Sequence, residues 1–137
     1  MGHEGTGDGI TSGAVLVVED EVLVRLLLAD ALRQSGFRVI EAANGYEAKT
    51  VLQSSNPVAV LITDVKMPGI MDGLNLSKWI RAQDPAVKII LVSGSMPPGA
   101  QSLADAVFIK PDGVEALVKR VSELMRNGGV PPAVECA

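Results

Sequence analysis

Five polar side chains close four apolar runs of this sequence, and their types suggest one chemistry. Glu19 and Asp20 end "AVLVVED" (14–20), and Asp64 ends "VAVLITD" (58–64), just before a Lys-Met-Pro-Gly break. Ser93 ends "VKIILVSG" (87–94), and Lys110 falls at the end of "AVFIKP" (106–111). Three carboxylates brought together would repel and raise one another's pKa values. A divalent cation removes that conflict. An all-oxygen set suits Mg²⁺, with Mn²⁺ as its substitute, because Mg²⁺ keeps several waters and takes one or two carboxylates plus phosphate oxygens. Lys110 adds a cation for a phosphoryl oxygen, and Ser93 adds a hydroxyl donor. Asp64 then reads as a nucleophile that accepts a phosphoryl group, since carboxylates form acyl phosphates. Phosphoryl transfer asks a protein mainly to position groups and neutralise charge.

Each residue alone has a plainer reading. Asp20 before "EVLVRLLL" suits a helix N-cap, a role compatible with metal binding. Asp64 could open a loop, and Ser93-Gly94 and Lys110-Pro111 could be turns. The argument rests on all of them standing at separate run ends in one chain.

Those runs read as strands alternating with helical patterns. Strands are expected over 14–20, 37–42, 58–64, 87–94 and 106–111, and helices over 21–36, 44–55, 72–83 and 112–127. Gly36 suits a helix C-cap. The stretch "SMPPGAQSLAD" (95–105) is ambiguous. This alternation predicts βαβ units and a parallel sheet, buried on both faces because its strands are near-continuous apolar runs. Parallel strands gather their C-terminal ends at one edge, where open α/β sheets bind ligands. The second strand ends in "EAANG" and offers that edge nothing evident.

The bulk properties agree. The chain has 137 residues, 47% hydrophobic and 20% charged, so one domain with a sizeable core is expected. Only 3% is aromatic, which makes that core aliphatic. A net charge of −4 gives no basic stripe for nucleic acid. No apolar run approaches the ~18 residues of a membrane span. The single cysteine, Cys136, precludes an intramolecular disulfide framework and favours a reducing, cytoplasmic setting. Residues 1–12 read as a disordered leader, 13–127 as the domain and 128–137 as a flexible tail.

"VVED" (17–20), "LITDVKMPGIMDG" (61–73), "LVSG" (91–94) and "FIKP" (108–111) together resemble the receiver domain of two-component response regulators. The resemblance spans roughly residues 13–127. It implies a flavodoxin-like, doubly wound (βα)5 fold with sheet order 2-1-3-4-5. It also implies roles: Asp64 as phosphoacceptor, Asp20 as direct metal ligand, and Glu19 as an acidic partner acting through water. The main-chain carbonyl of Lys66 is implied as a third metal contact, Ser93 as the switch hydroxyl and Lys110 as the phosphate-pairing lysine. Lys110-Pro111 is implied to be a cis peptide. The implied partner is a histidine kinase or histidine phosphotransfer protein, with no direct nucleic-acid or membrane contact. The chain would catalyse only its own phosphorylation and dephosphorylation.

Three features depart from the family pattern. Val107 occupies the switch position where an aromatic is usual, and alternation points Phe108 to the other face. The Ser93–Lys110 segment is short and holds Met96-Pro97-Pro98-Gly99, so the fourth helix is expected to be short or irregular. The "MPGIMDG" loop is one residue longer than the commoner form. In the first helix, Val24, Leu27, Leu28, Ala31 and Leu32 fall on one expected core face. Val22, Leu26 and Ala29 fall opposite, where an apolar set reads as a docking patch for the phosphodonor or as a surface covered by the tails.

Rival readings differ in one residue or another. A dehalogenase-type phosphatase would carry an acid two residues after its nucleophile, where this chain has Lys66. A receiver-like module working without phosphorylation would usually lack one of the acids or the lysine. A receiver belonging to a longer protein, such as a hybrid histidine kinase, would look the same.

Overall fold

A computed structural model describes residues 13–110 and 113–126. Five strands, β1 (Ala14–Val18), β2 (Val39–Ala42), β3 (Val58–Asp64), β4 (Lys88–Ser93) and β5 (Ala106–Ile109), alternate with five helices. The helices are α1 (Val22–Gln34), α2 (Gly45–Leu52), α3 (Gly73–Gln83), α4 (Ala100–Leu103) and α5 (Val114–Arg126). The strands form one parallel sheet in the order β2-β1-β3-β4-β5, the doubly wound order expected.

Every residue of β1 is buried, as a strand covered on both faces must be. On one face, Val15, Val17, Val60, Ile62 and Ile90 pack with Leu28 and Leu32 of α1 and with Leu117, Val121 and Leu124 of α5. On the other, Leu16, Val18, Leu61, Ile89 and Leu91 pack with Ala48 of α2, Leu76 and Ile80 of α3 and Ala100 of α4. Val107 joins the second cluster and Phe108 the first, so alternation does separate them.

Local chemistry sets the helix boundaries. Asn44 caps α2 by accepting from the Glu47 amide at 2.8 Å, while Glu47 accepts from the Ala43 amide at 2.7 Å. Asp72 caps α3 through the Asn75 amide at 2.9 Å. Gly36 follows α1 at φ +95°, a conformation that glycine adopts without Cβ strain.

Two expectations need correction. The buried arc of α1 centres on Leu28, Ala29 and Leu32, so Ala29 is core (0% exposed) and does not belong to the surface patch. Leu27, placed in the core by the wheel, is 58% exposed. The apolar residues of α1 cover too much of the wheel for periodicity to fix its phase; packing against β2 and α5 turns Ala29 inward and Leu27 out. Val22 and Leu26 are exposed as expected, beside Leu23 at 80%. The expected leader and tail, and Pro111 of the expected cis peptide, lie outside the described residues.

Candidate functional site

Backbone hydrogen bonds draw the strand ends together. The Glu19 amide donates to the Ala42 carbonyl at 3.1 Å, the Val65 amide to Val92 at 3.0 Å and the Lys110 amide to Ser93 at 2.8 Å. The turn after β1 thus meets the end of β2, and the ends of β3, β4 and β5 follow in register.

At this edge, Glu19, Asp20 and Asp64 each offer a carboxylate oxygen within 4.8 Å of the others. Glu19 and Asp64 are buried and Asp20 is exposed. The Lys110 ammonium reaches across, donating to Asp64 Oδ2 at 3.1 Å and to Glu19 Oε1 at 3.3 Å. The Lys66 amide donates to Asp64 Oδ1 at 3.3 Å, and the Glu21 amide to Glu19 Oε2 at 3.1 Å. Glu21 is the α1 N-cap residue and makes no side-chain cap. Asp20 makes no hydrogen bond among the described residues, so capping is not its role.

Burial raises the Glu19 carboxyl above its ordinary range. The Asp64 charge adds to this, while the Glu21 amide and Lys110 work against it. Burial on its own would lower the Lys110 ammonium. Its hydrogen bond to Asp64 and the charges of Glu19 and Asp64 outweigh that, so Lys110 sits above the ordinary lysine range. One ammonium against three carboxylates leaves the cluster negative. A hard, all-oxygen donor set with excess negative charge fits Mg²⁺.

Ser93 is buried at the end of β4, and its hydroxyl donates to the Ser95 carbonyl at 2.9 Å and accepts from the Ser95 amide at 3.3 Å. It therefore sits at the right edge but is held by its own loop. Val22 and Leu26 lie on α1 just after the acidic turn, and Val107 pairs with Leu91 inside the sheet.

The sequence reading passed over two residues. Glu41, in the "EAANG" stretch that closes β2, accepts from Arg25 Nε at 3.3 Å and from Arg33 Nη1 at 2.9 Å. Arg25 also donates from Nη1 to the Glu19 carbonyl at 2.8 Å. The signal was two arginines eight residues apart facing a lone strand acid, and it gains meaning only once β2 lies against β1.

Known proteins resemble this chain in sequence and in fold. The family model of the response regulator receiver domain matches residues 15–122. Transcriptional regulatory protein PrrA of Mycobacterium tuberculosis is 35% identical over 126 residues, covering 88% of this chain and 53% of PrrA. Sensor kinase CckA of Brucella abortus is 38% identical over 122 residues, covering 85% of this chain and 13% of that kinase. The crystal structure of response regulator TrrA from Thermotoga maritima, solved in complex with Mg²⁺-BeF, superposes with a TM-score of 0.74 at 31% identity, covering 82% of this chain and 98% of TrrA. The chain spans about half the length of PrrA. Among the described residues, no helix is long and apolar enough to cross a membrane.

Proposed function

The chain belongs to the response regulator receiver domain family, and on that premise we propose that Asp64 accepts a phosphoryl group from a phosphohistidine donor in a Mg²⁺-dependent reaction. One observation carries the reading: Lys110 Nζ bridges Asp64 and Glu19, beside a third carboxylate, at the C-terminal edge of the sheet.

Glu19, Asp20 and Asp64, with the Lys66 main-chain carbonyl, would hold the cation. Once bound, Mg²⁺ (or Mn²⁺) supplies charge neutralisation for phosphoryl oxygens. The Asp64 carboxylate forms the new O–P bond as the donor's N–P bond breaks, and the imidazole leaves with the electron pair. Lys110 moves its hydrogen bonds from the carboxylates to a phosphoryl oxygen. The Ser93 hydroxyl gives up the Ser95 carbonyl and donates to another. Water later hydrolyses the acyl phosphate, so the chain acts on itself and releases only inorganic phosphate.

The donor, a histidine kinase or phosphotransfer protein, would dock on the exposed α1 face formed by Val22, Leu23, Leu26 and Leu27. This face borders an apolar groove of about 430 Å³ between α1 and α5, lined by Val24, Leu28, Phe108, Val114 and Leu117, with Lys110 also in its lining. A partner helix laid there would bring its histidine toward Asp64.

Acetyl phosphate, a small donor needing no docking surface, tests the core of the reading. With Mg²⁺, intact-mass spectrometry should show one added phosphoryl group, absent in Asp64→Asn and without Mg²⁺. An adduct that persists in Asp64→Asn would refute the assignment.

A further inference from the structure

Asp64 ends β3, while the other two of the three acids that would hold the cation, Glu19 and Asp20, stand in residues 19–21, a short turn with no regular structure of its own. Something must fix its main chain, because moving a ligand oxygen by a fraction of an ångström weakens a rigid octahedral site. The Glu19 amide is fixed by the Ala42 carbonyl. The Glu19 carbonyl has a different partner. It receives Arg25 Nη1 at 2.8 Å and has no other donor among the described residues. The same guanidinium places Nε on Glu41 Oε1 at 3.3 Å. Arg25 thus straddles the turn and β2, with a side chain only 16% exposed.

The arrangement continues outward. Glu41 Oε2 accepts from Arg33 Nη1 at 2.9 Å, and Arg33 Nη2 reaches the Val39 carbonyl at 3.2 Å. One carboxylate therefore holds two arginines from successive parts of α1. Two consequences follow. Glu41 orients the Arg25 fork, so that the fork's other arm meets Glu19. Glu41 also offsets the Arg25 charge, which would otherwise repel a dication held by the same turn. A lysine cannot replace this fork, because a single ammonium on a flexible stem has no fixed second arm.

We propose that Arg25, held by Glu41, is a positioning residue for the cation site: it locks the Glu19-Asp20 turn in the geometry that binds the metal. The inference rests on the functional reading above and adds to it a dependence on residues that touch neither the metal nor the phosphoryl group.

Mn²⁺ binding, followed by the electron paramagnetic resonance signal of the free ion, tests it directly. Outer residues that orient metal ligands typically contribute about 10–100-fold in affinity, so Arg25→Met should weaken Mn²⁺ binding by about tenfold or more. Arg25→Lys should recover little of this. Arg33→Met removes the same charge from the same helix but leaves the Glu19 carbonyl bond, and should bind Mn²⁺ like the parent protein. Should Arg25→Met fail to fold, as judged by its circular dichroism, Glu41→Gln frees the fork without emptying its site and should also weaken binding. Parent-like affinity in a folded Arg25→Met, or equal losses in Arg25→Met and Arg33→Met, would overturn the role; so would parent-like affinity in Glu41→Gln where Arg25→Met does not fold. A parent protein that binds no Mn²⁺ would overturn the cation site itself, and this role with it.

Discussion

At the scale of single residues, the site is defined by a shortage of positive charge. Lys110 is shared between Asp64 and Glu19 at 3.1 and 3.3 Å, and Glu19 bears the cost through burial. A carboxyl whose pKa is raised on folding stabilises the fold fully below its ordinary value of 4.5. That contribution is lost as pH rises through the raised value. Lys110, also raised, contributes up to the ordinary lysine range and loses its contribution only above it. The metal-free protein should therefore lose a stability contribution as pH climbs from 4.5 through the Glu19 titration, and Mg²⁺ should restore it. Thermal unfolding in chelator across that range checks this. Glu19→Gln should flatten the slope, and superimposable curves for the two proteins would contradict the assignment.

At the scale of elements, close backbone approaches aim the site. A Cβ on Gly73 would run into the Asp64 carbonyl and Val65 Cα, because α3 starts directly against the strand that carries Asp64. Gly73→Ala should therefore push the phosphoacceptor loop aside, destabilise the protein by about 1–3 kcal/mol and slow labelling by acetyl phosphate. Chemical denaturation and mass spectrometry read the two effects, and an unperturbed variant would mean that the loop has room to move. The α1 surface makes a different prediction. Leu26→Asp changes an exposed residue, so folding and acetyl phosphate labelling should stay unchanged while transfer from a phosphorylated histidine phosphotransfer domain slows. Unaltered transfer would remove α1 from the docking surface.

At the scale of the whole molecule, the short fourth crossover is tied to α3 at its far end. Arg81 of α3 donates from Nη2 to the Leu103 carbonyl at 2.8 Å and to Asp105 Oδ2 at 3.2 Å. Its Nη1 reaches the Pro85 and Val87 carbonyls at 3.3 Å each. Asp105 Oδ2 also accepts from the Ile89 amide at 2.8 Å. The start of the crossover depends instead on Ser93 and Ser95, the contact that phosphoryl binding would break. Hydrogen exchange should therefore change over residues 94–99 when Mg²⁺ and beryllofluoride are added, with 100–105 unaffected. In Arg81→Met the change should spread through 105. A uniform response along the segment in the parent protein would show that the anchor does not hold. On the proposed function, position 107 offers valine and no aromatic ring to carry the change, and the 94–99 loop is where the response to phosphorylation is expected.

Much of this was legible in the order of residues, because strand ends and apolar runs are local features. The alternation of "AVLVVED", "VAVLITD" and "VKIILVSG" with helical stretches was enough for a parallel α/β sheet, and parallel strands oblige Asp20, Asp64, Ser93 and Lys110 to share an edge. The short Ser93–Lys110 segment, with its prolines at 97 and 98, was enough to expect the short fourth helix that is found. The facing of α1 was not legible, since apolar residues nearly surround it and only its neighbours decide that Ala29 turns inward and Leu27 outward. Nor were the pairing of Arg25 with the Glu19 carbonyl and Glu41, or the Arg81 anchor. Each joins groups from separate segments, so each depends on distances that exist only after the strands have found their partners.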